Sequence, residues 1–480
     1  MLFNSIHFLI FFPSVLILYF AIPHKYRWIL ILISSYYFYM SWRVDYIVLL
    51  ILSTLVDYYS AISISKTNKK YKKNFFLVIS LCSNIGILVL FKYFTFINNS
   101  IGDLLDIFTI KFTPLELNVL LPLGISFYTF QTLGYTIDVY RGKKEPEKHL
   151  GIFACYVSFF PQLVAGPIER AKNLLPQFYE KHNFEYNRVT NGLKLMLWGF
   201  FKKLVIADTA ALVVNQVYNN VGEYSGSPLI LATIFFAFQI YCDFSGYSDI
   251  AIGAAQVLGF KLMKNFKRPY FSKSIVEFWR RWHISLSTWF RDYLYIPLGG
   301  NRVSIPRWYL NLSIVFLVAG LWHGANWTFV IWGLINGSYL ILFYTTKKIR
   351  SKIVGLTRLN KIPRIHLILQ ILTTFCLVNF GWIFFRANTV SDAFYIITHL
   401  FTDINPYLQN YWLGMNIIGI LIVTMSITFM LFVHLLEERI VIRDYISYKP
   451  IWIRWSIYLL VLFAILLFGT FEQPFIYFQF

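Results

Sequence analysis

Long apolar runs separated by short basic or mixed loops set the pattern of this chain. Runs at 5 to 22, 46 to 65, 75 to 97, 229 to 258, 366 to 385, 413 to 436 and 452 to 471 match the ~20 apolar residues that carry an α-helix across a bilayer. Shorter, Gly-interrupted or fused runs at 28 to 42, 118 to 137, 151 to 165, 192 to 219 and 309 to 345 fill the gaps. The pattern predicts an all-α polytopic membrane protein with roughly ten to twelve spans and added re-entrant or interfacial helices. No internal repeat, low-complexity tract or long hydrophilic stretch interrupts it, so residues 1–480 read as a single membrane domain. The longest polar insertions, 167 to 190 and 347 to 364, read as short interfacial helices.

Composition removes the soluble alternative. Of 480 residues, 57% are hydrophobic and only 14% charged, against about 25% charged in an ordinary soluble domain. The formal net charge of +20 would suit nucleic acid, but the basic residues fall mainly in short segments between apolar runs, where anionic lipid headgroups meet them. The loop at 66 to 74 holds five lysines and no acid, which predicts a cytoplasmic position and, counting back, an extracytoplasmic N-terminus. Asp103, Asp106 and Glu116 against Lys111 suit an outside loop at 98 to 116. Residues 5 to 22 read as a retained helix rather than a removed signal peptide. Cys82, Cys155, Cys242 and Cys376 are far apart and read as small core residues, with no ligand spacing for a metal.

One stretch breaks the apolar pattern. Between 261 and 308, Lys261, Lys264, Lys267, Arg268, Lys273, Arg280, Arg281, Arg291, Arg302 and Arg307 alternate with aromatic residues. Ser274 and Glu277 have capping-box spacing and Pro297, Gly299 and Gly300 close the far end, so a helix of about twenty residues is predicted. Its spacing puts Trp279, His283, Leu286, Phe290 and Tyr293 near one face, with Arg280, Ser287 and Arg291 beside them. Two readings stand: an amphipathic interfacial helix, or the re-entrant wall of a cavity. Further on, His323 lies in AGLWHGANW, inside an apolar run. An ionisable side chain at membrane depth must face protein or water and is a functional candidate, with a structural hydrogen bond as its competitor. Gly320 and Gly324 suit either a pocket or close helix packing.

The remaining chemistry is sparse. His7 and His434 lie in apolar runs, His24, His149, His182 and His366 in or beside loops, and His399 near an amphipathic stretch. No GxSxG, HExxH or P-loop is present. Asp243 and Asp249 in YCDFSGYSD sit at membrane depth and should pair with basic residues or line a wet cavity.

RRWHISLSTWFRDYLYIPLGGNR at 280 to 302 and GLWHGANWTFVIWG at 320 to 333 resemble the signature region of the membrane-bound O-acyltransferase family. PLGISFYTFQTLGYTIDVYRG at 122 to 142, FFPQLVAGPIER at 159 to 170, QIYCDFSGYSDIAIG at 239 to 253 and FFRA at 384 to 387 extend the likeness. The resemblance implies helices ringed around a central cavity, with His323 catalytic and His283 the second polar residue of the site. It also implies Trp279, Trp282, Trp322 and Asn326 as pocket lining. Lys267, Arg268, Arg280 and Arg281 are candidates for the donor's phosphates. The implied activity moves an acetyl group from a cytoplasmic thioester, such as acetyl-CoA, toward hydroxyls of an alginate-like exopolysaccharide or peptidoglycan. An extracytoplasmic esterase-like partner would complete transfer, and no tightly bound cofactor is expected. A D-alanyl transfer subunit for teichoic acid, and a polysaccharide transporter without the inverted repeats usual in such folds, are the alternatives.

Overall fold

Among the described residues, eight helices are long and apolar enough to cross a membrane: Ile47–Lys66, Lys70–Ile107, Ser227–Leu258, Ile305–His323, Trp327–Thr345, Pro363–Arg386, Ile417–Leu436 and Ile451–Phe468. Ile6–Ala21 is a shorter apolar helix. The computed structural model describes every residue except 116–121, 123, 165, 405–407, 409–411, 472–474 and 477–480, and among the described residues all regular elements are helical. Glu116, positions 118 to 121 of one expected span, Leu123 and Ala165 thus lie outside the described residues. The fused run at 309 to 345 resolves into two helices broken after His323. The run at 192 to 219 resolves into Tyr186–Phe200, a π-helical turn Phe201–Ala207 and Asp208–Asn219.

The chain forms two compact units, residues 1–196 with 250–263 and residues 197–249 with 264–480. In the first, Asp57 on Ile47–Lys66 is fully buried, a costly position for a carboxylate at membrane depth. Its oxygens accept from the Ser80 hydroxyl, from Asn84 Nδ2 at 2.8 Å and from the Thr136 hydroxyl at 3.3 Å. These donors replace the water that the carboxylate has lost.

The second unit carries both signature histidines. Its central element is Ser227–Leu258, which contributes residues 227–249 and is 83% buried over its spanning window. The two acids on this helix are paired, as expected for their depth. Lys203 Nζ lies 2.8 Å from Asp243 and 2.6 Å from Asp208, and Lys202 Nζ lies 2.7 Å from Asp249 and 2.9 Å from Ser245 Oγ. Both lysines come from the π-helical turn, a local widening that is frequent at functional sites. The cysteines depart from expectation: Cys155 and Cys242 are buried, but Cys82 and Cys376 are exposed on spanning helices. A thiol is apolar enough to face lipid, so burial against protein is not required.

Candidate active site

The segment around His283 is not one helix. Ser274 caps Ile275–Arg281, its hydroxyl accepting from Glu277 N at 3.2 Å, but the chain leaves the helix at Trp282 and restarts at Ile284–Phe290. His283 is the hinge, with φ 42° and ψ 55°, a left-handed conformation that costs a β-carbon-bearing residue about 1–3 kcal/mol. Asn265 compensates. Its backbone carbonyl accepts from Ile284 N at 2.8 Å, its Oδ1 accepts from Ser285 Oγ at 2.6 Å, and its Nδ2 donates to Ser248 Oγ at 3.0 Å. Asn265, Ser248 and Ser285 are all buried, so the bonds act in a low-dielectric interior where losing one is expensive. The expected common face for Trp279 and His283 does not survive the break, because the two residues lie on opposite sides of it.

His323 is positioned differently. It is the last residue of Ile305–His323, and residues 324–326 turn the chain into Trp327–Thr345. Small residues bring these two helices together: a β-carbon on Gly320 would strike the Phe329 carbonyl, and one on Gly333 would strike the Phe316 carbonyl. Gly324 lies against the Phe329 ring. The glycines therefore serve close backbone packing, in the manner of small-residue membrane interfaces.

The two histidines share an aromatic wall. His283 is 1% exposed and His323 4%. Trp322 places its ring centroid 5.9 Å from that of His283 and 4.9 Å from that of His323. Phe244 meets His283 at 4.6 Å, and Trp332 and Phe385 meet His323 at 5.0 and 5.1 Å. Trp382 joins the set, 5.9 Å from Trp332 in a stacked pair and 5.0 Å from Trp282. Burial holds the His283 imidazole well below its ordinary range, at about 3. It is therefore neutral near pH 7, with one ring nitrogen as donor and the other as acceptor.

The other expected site residues divide. Trp279 packs 5.2 Å from Phe316 and 5.7 Å from Trp332, and its indole N–H has no partner among the described residues. Trp282 is buried beside Phe278 and Trp382. Asn326 is a cap: its Oδ1 accepts from Thr328 N at 3.0 Å and its Nδ2 donates to the Asn388 carbonyl at 3.1 Å. Arg268 and Arg281 both reach Glu438, at 3.2 and 3.4 Å, and Arg281 also pairs with Glu277 at 2.6 Å. Lys267 and Arg280 are exposed. Asn265, Phe244, Trp332, Trp382 and Phe385 were not singled out, although Phe244, Trp332 and Phe385 lie within motifs that carry the resemblance.

Two histidines buried against one tryptophan and ringed by apolar side chains share an apolar enclosure. The sequence profile described as MBOAT, membrane-bound O-acyltransferase family, matches residues 148–386, which include this whole arrangement. A probable alginate O-acetylase of Pseudomonas aeruginosa is 40% identical over 405 residues, covering 84% of this chain and 75% of that protein. The chain belongs to the membrane-bound O-acyltransferase family. A peptidoglycan O-acetyltransferase of Helicobacter pylori is 36% identical over 397 residues, covering 76% of this chain and 72% of the relative. A teichoic acid D-alanyltransferase of Bacillus subtilis is 26% identical over 325 residues, covering 62% and 78%. As a member of the family, the chain is a multi-pass membrane O-acyltransferase.

Proposed function

We propose that this enzyme transfers an acetyl group from a thioester presented at the cytoplasmic side to a hydroxyl destined for a cell-surface polysaccharide, and that His323 and His283 carry the reaction. The observation behind the reading is the pair of buried histidines on one tryptophan wall. His323 takes the proton of the attacking hydroxyl as its oxygen bonds to the thioester carbonyl carbon, a role that suits an imidazole near neutral pH. The carbonyl oxygen gains the charge, and the N–H of neutral His283 stabilises it; one such donor contributes about 3 kcal/mol in comparable sites. The C–S bond then breaks, the acyl group stays on the acceptor oxygen, and the leaving thiolate takes the proton from His323 to depart as the thiol, which restores the neutral imidazole.

Trp279 offers its N–H to the same chamber, and Trp282 and Trp322 wall it. Lys267 and Arg280, exposed and basic, suit the phosphates of acetyl-CoA. Arg268 and Arg281 shape that surface through Glu438 and Glu277. An esterase-like protein outside the membrane completes delivery to the polysaccharide. The N-terminus lies on that outer side, in the plasma membrane of a bacterium.

The test is O-acetyl release by mild base from surface polysaccharides of cells lacking the enzyme, complemented with wild type, His323→Ala or His283→Ala at matched protein levels. Acetyl should return only with wild type. Restoration by His323→Ala would remove the base assignment. Loss of D-alanyl ester with acetyl unchanged would favour the second reading, supported by the teichoic acid relative.

A further inference from the structure

FFRA ends the spanning helix Pro363–Arg386, and its arginine has no place in the chemistry above. Arg386 Nη2 donates to Asn215 Oδ1 at 2.9 Å and Asn219 Oδ1 at 3.1 Å, and Nη1 donates to Asn388 Oδ1 at 3.2 Å. Its guanidinium carbon lies 5.4 Å from the Tyr218 ring centroid. Every one of these partners is neutral, and no carboxylate lies within ion-pairing distance of Arg386 among the described residues. Amide dipoles orient a guanidinium but leave its charge uncompensated, and a half-buried cation in that condition gains most from an anion supplied from outside. The cradle is accessible: Arg386 is half-buried, whereas Asn219 and Asn388 are exposed.

The cradle is also tied to the histidine. Phe385 precedes Arg386 and packs on His323 at 5.1 Å, while the Asn388 carbonyl accepts from Asn326, which caps the helix that follows His323. We propose that Arg386, with Asn219 and Asn388, is an anion subsite that holds a carboxylate on a sugar of the acceptor. This rests on the acceptor being a polysaccharide, as argued above. One planar cation flanked by carboxamides suits a single carboxylate, met by the Nη1 hydrogen that the amides leave, with neighbouring sugar hydroxyls meeting the amides. The phosphates of a nucleotide donor carry several charges and fit better among the clustered cations of 261 to 281.

The experiment uses the full chain in lipid nanodiscs and two probes, an oligouronide and the same oligomer with its carboxyls reduced to alcohols, with coenzyme A as a third ligand. Wild type should bind the oligouronide roughly 10- to 100-fold more tightly than the reduced oligomer, the range expected for hydrogen bonds to a charged group. Arg386→Gln should erase that preference and leave coenzyme A binding unchanged; Arg386→Lys should keep part of it. Asn219→Ala, at an exposed position, gives a second reading if Arg386→Gln fails to fold, and should lower oligouronide affinity alone. Equal binding of the two oligomers by wild type, or a loss in Arg386→Gln confined to coenzyme A, would overturn the subsite. The cell-surface O-acetyl assay above separates the premises: preference for the charged oligomer together with normal O-acetylation in cells lacking the enzyme would leave the subsite standing and sink the acetyl reading.

Discussion

His283 and His323 are the same side chain held by opposite means. His283 sits in a strained turn between two seven-residue helices, and the hydrogen bonds that Asn265 accepts from Ile284 N and Ser285 Oγ, just past the turn, keep it there. His323 ends a nineteen-residue spanning helix, and glycine-mediated backbone contact plus a ring of aromatic side chains fix it. Polar bonds fix direction but fail when one partner goes, whereas interlocked apolar packing tolerates the loss of a single contact and resists displacement. The difference suits their proposed tasks. A donor to a developing oxyanion must point accurately, and a base must lie beside the hydroxyl in a site kept dry.

The comparison breaks first on chemistry. In a purified transfer assay with acetyl-CoA and an acceptor oligosaccharide, His323→Ala should lower kcat by about 10³-fold or more, the upper range for a general base. His283→Ala should cost about 10²-fold, the value of one oxyanion donor. Equal losses would mean that the two residues act as one proton-transfer unit and that the division of labour is wrong. His283→Asn, which restores an N–H donor, should recover part of the rate; the same change at His323 should recover none.

Both histidines were legible in the sequence, because an ionisable residue in an aromatic, apolar setting stands out whatever the fold. The turn at His283 was not. No glycine or proline marks residues 282 to 284, and the break comes from Asn265, about twenty residues upstream, through contacts that local propensity does not report. The pairing of Asp243 and Asp249 was anticipated from their depth, but Lys202 and Lys203 were hidden in a run that reads as a weak span. Trp382 was invisible, and Trp332 and Phe385 were not singled out within their motifs, for a different reason. In a membrane helix every face is apolar, so composition does not separate protein-facing from lipid-facing positions: Ser227–Leu258 is 83% buried over its spanning window and Ile451–Phe468 only 11%, though both are apolar enough to cross a membrane.

The supports themselves offer the next, smaller effects. Gly320→Ala forces a methyl against the Phe329 carbonyl and must shift one helix on the other, moving His323. A displacement of about 1 Å at a reacting group costs up to ~10²-fold, and the thermal midpoint of the purified protein should fall with it. Asn265→Ala leaves its backbone bond to Ile284 but removes those to Ser248 and Ser285. A loss of about 10-fold in kcat is expected with little change in KM, since the turn is retained but less well directed. In the His283→Ala background, Asn265→Ala should add almost nothing. A full additional loss there would show that Asn265 supports the unit as a whole rather than this histidine.

The smallest effect concerns pH and separates the two supports most finely. Burial keeps His283 neutral down to about pH 3, while in the unfolded chain it takes up its proton near 6.5. Between those values the unfolded chain binds a proton that the native protein does not, so stability drops as pH falls through this window, by at most about 1.4 kcal/mol per pH unit from this one group. Carboxylates titrate in the same range, so the difference between wild type and His283→Asn is the informative quantity: the variant's thermal midpoint should decline less steeply from pH 6.5 to 4. The acid limb of kcat/KM should stay at the same pH in His283→Asn even though the rate is lower, because a group already neutral throughout the working range cannot define that limb. A limb that moves would mean that His283 exchanges its proton during turnover, and the chamber would then hold two bases instead of a base and a fixed donor.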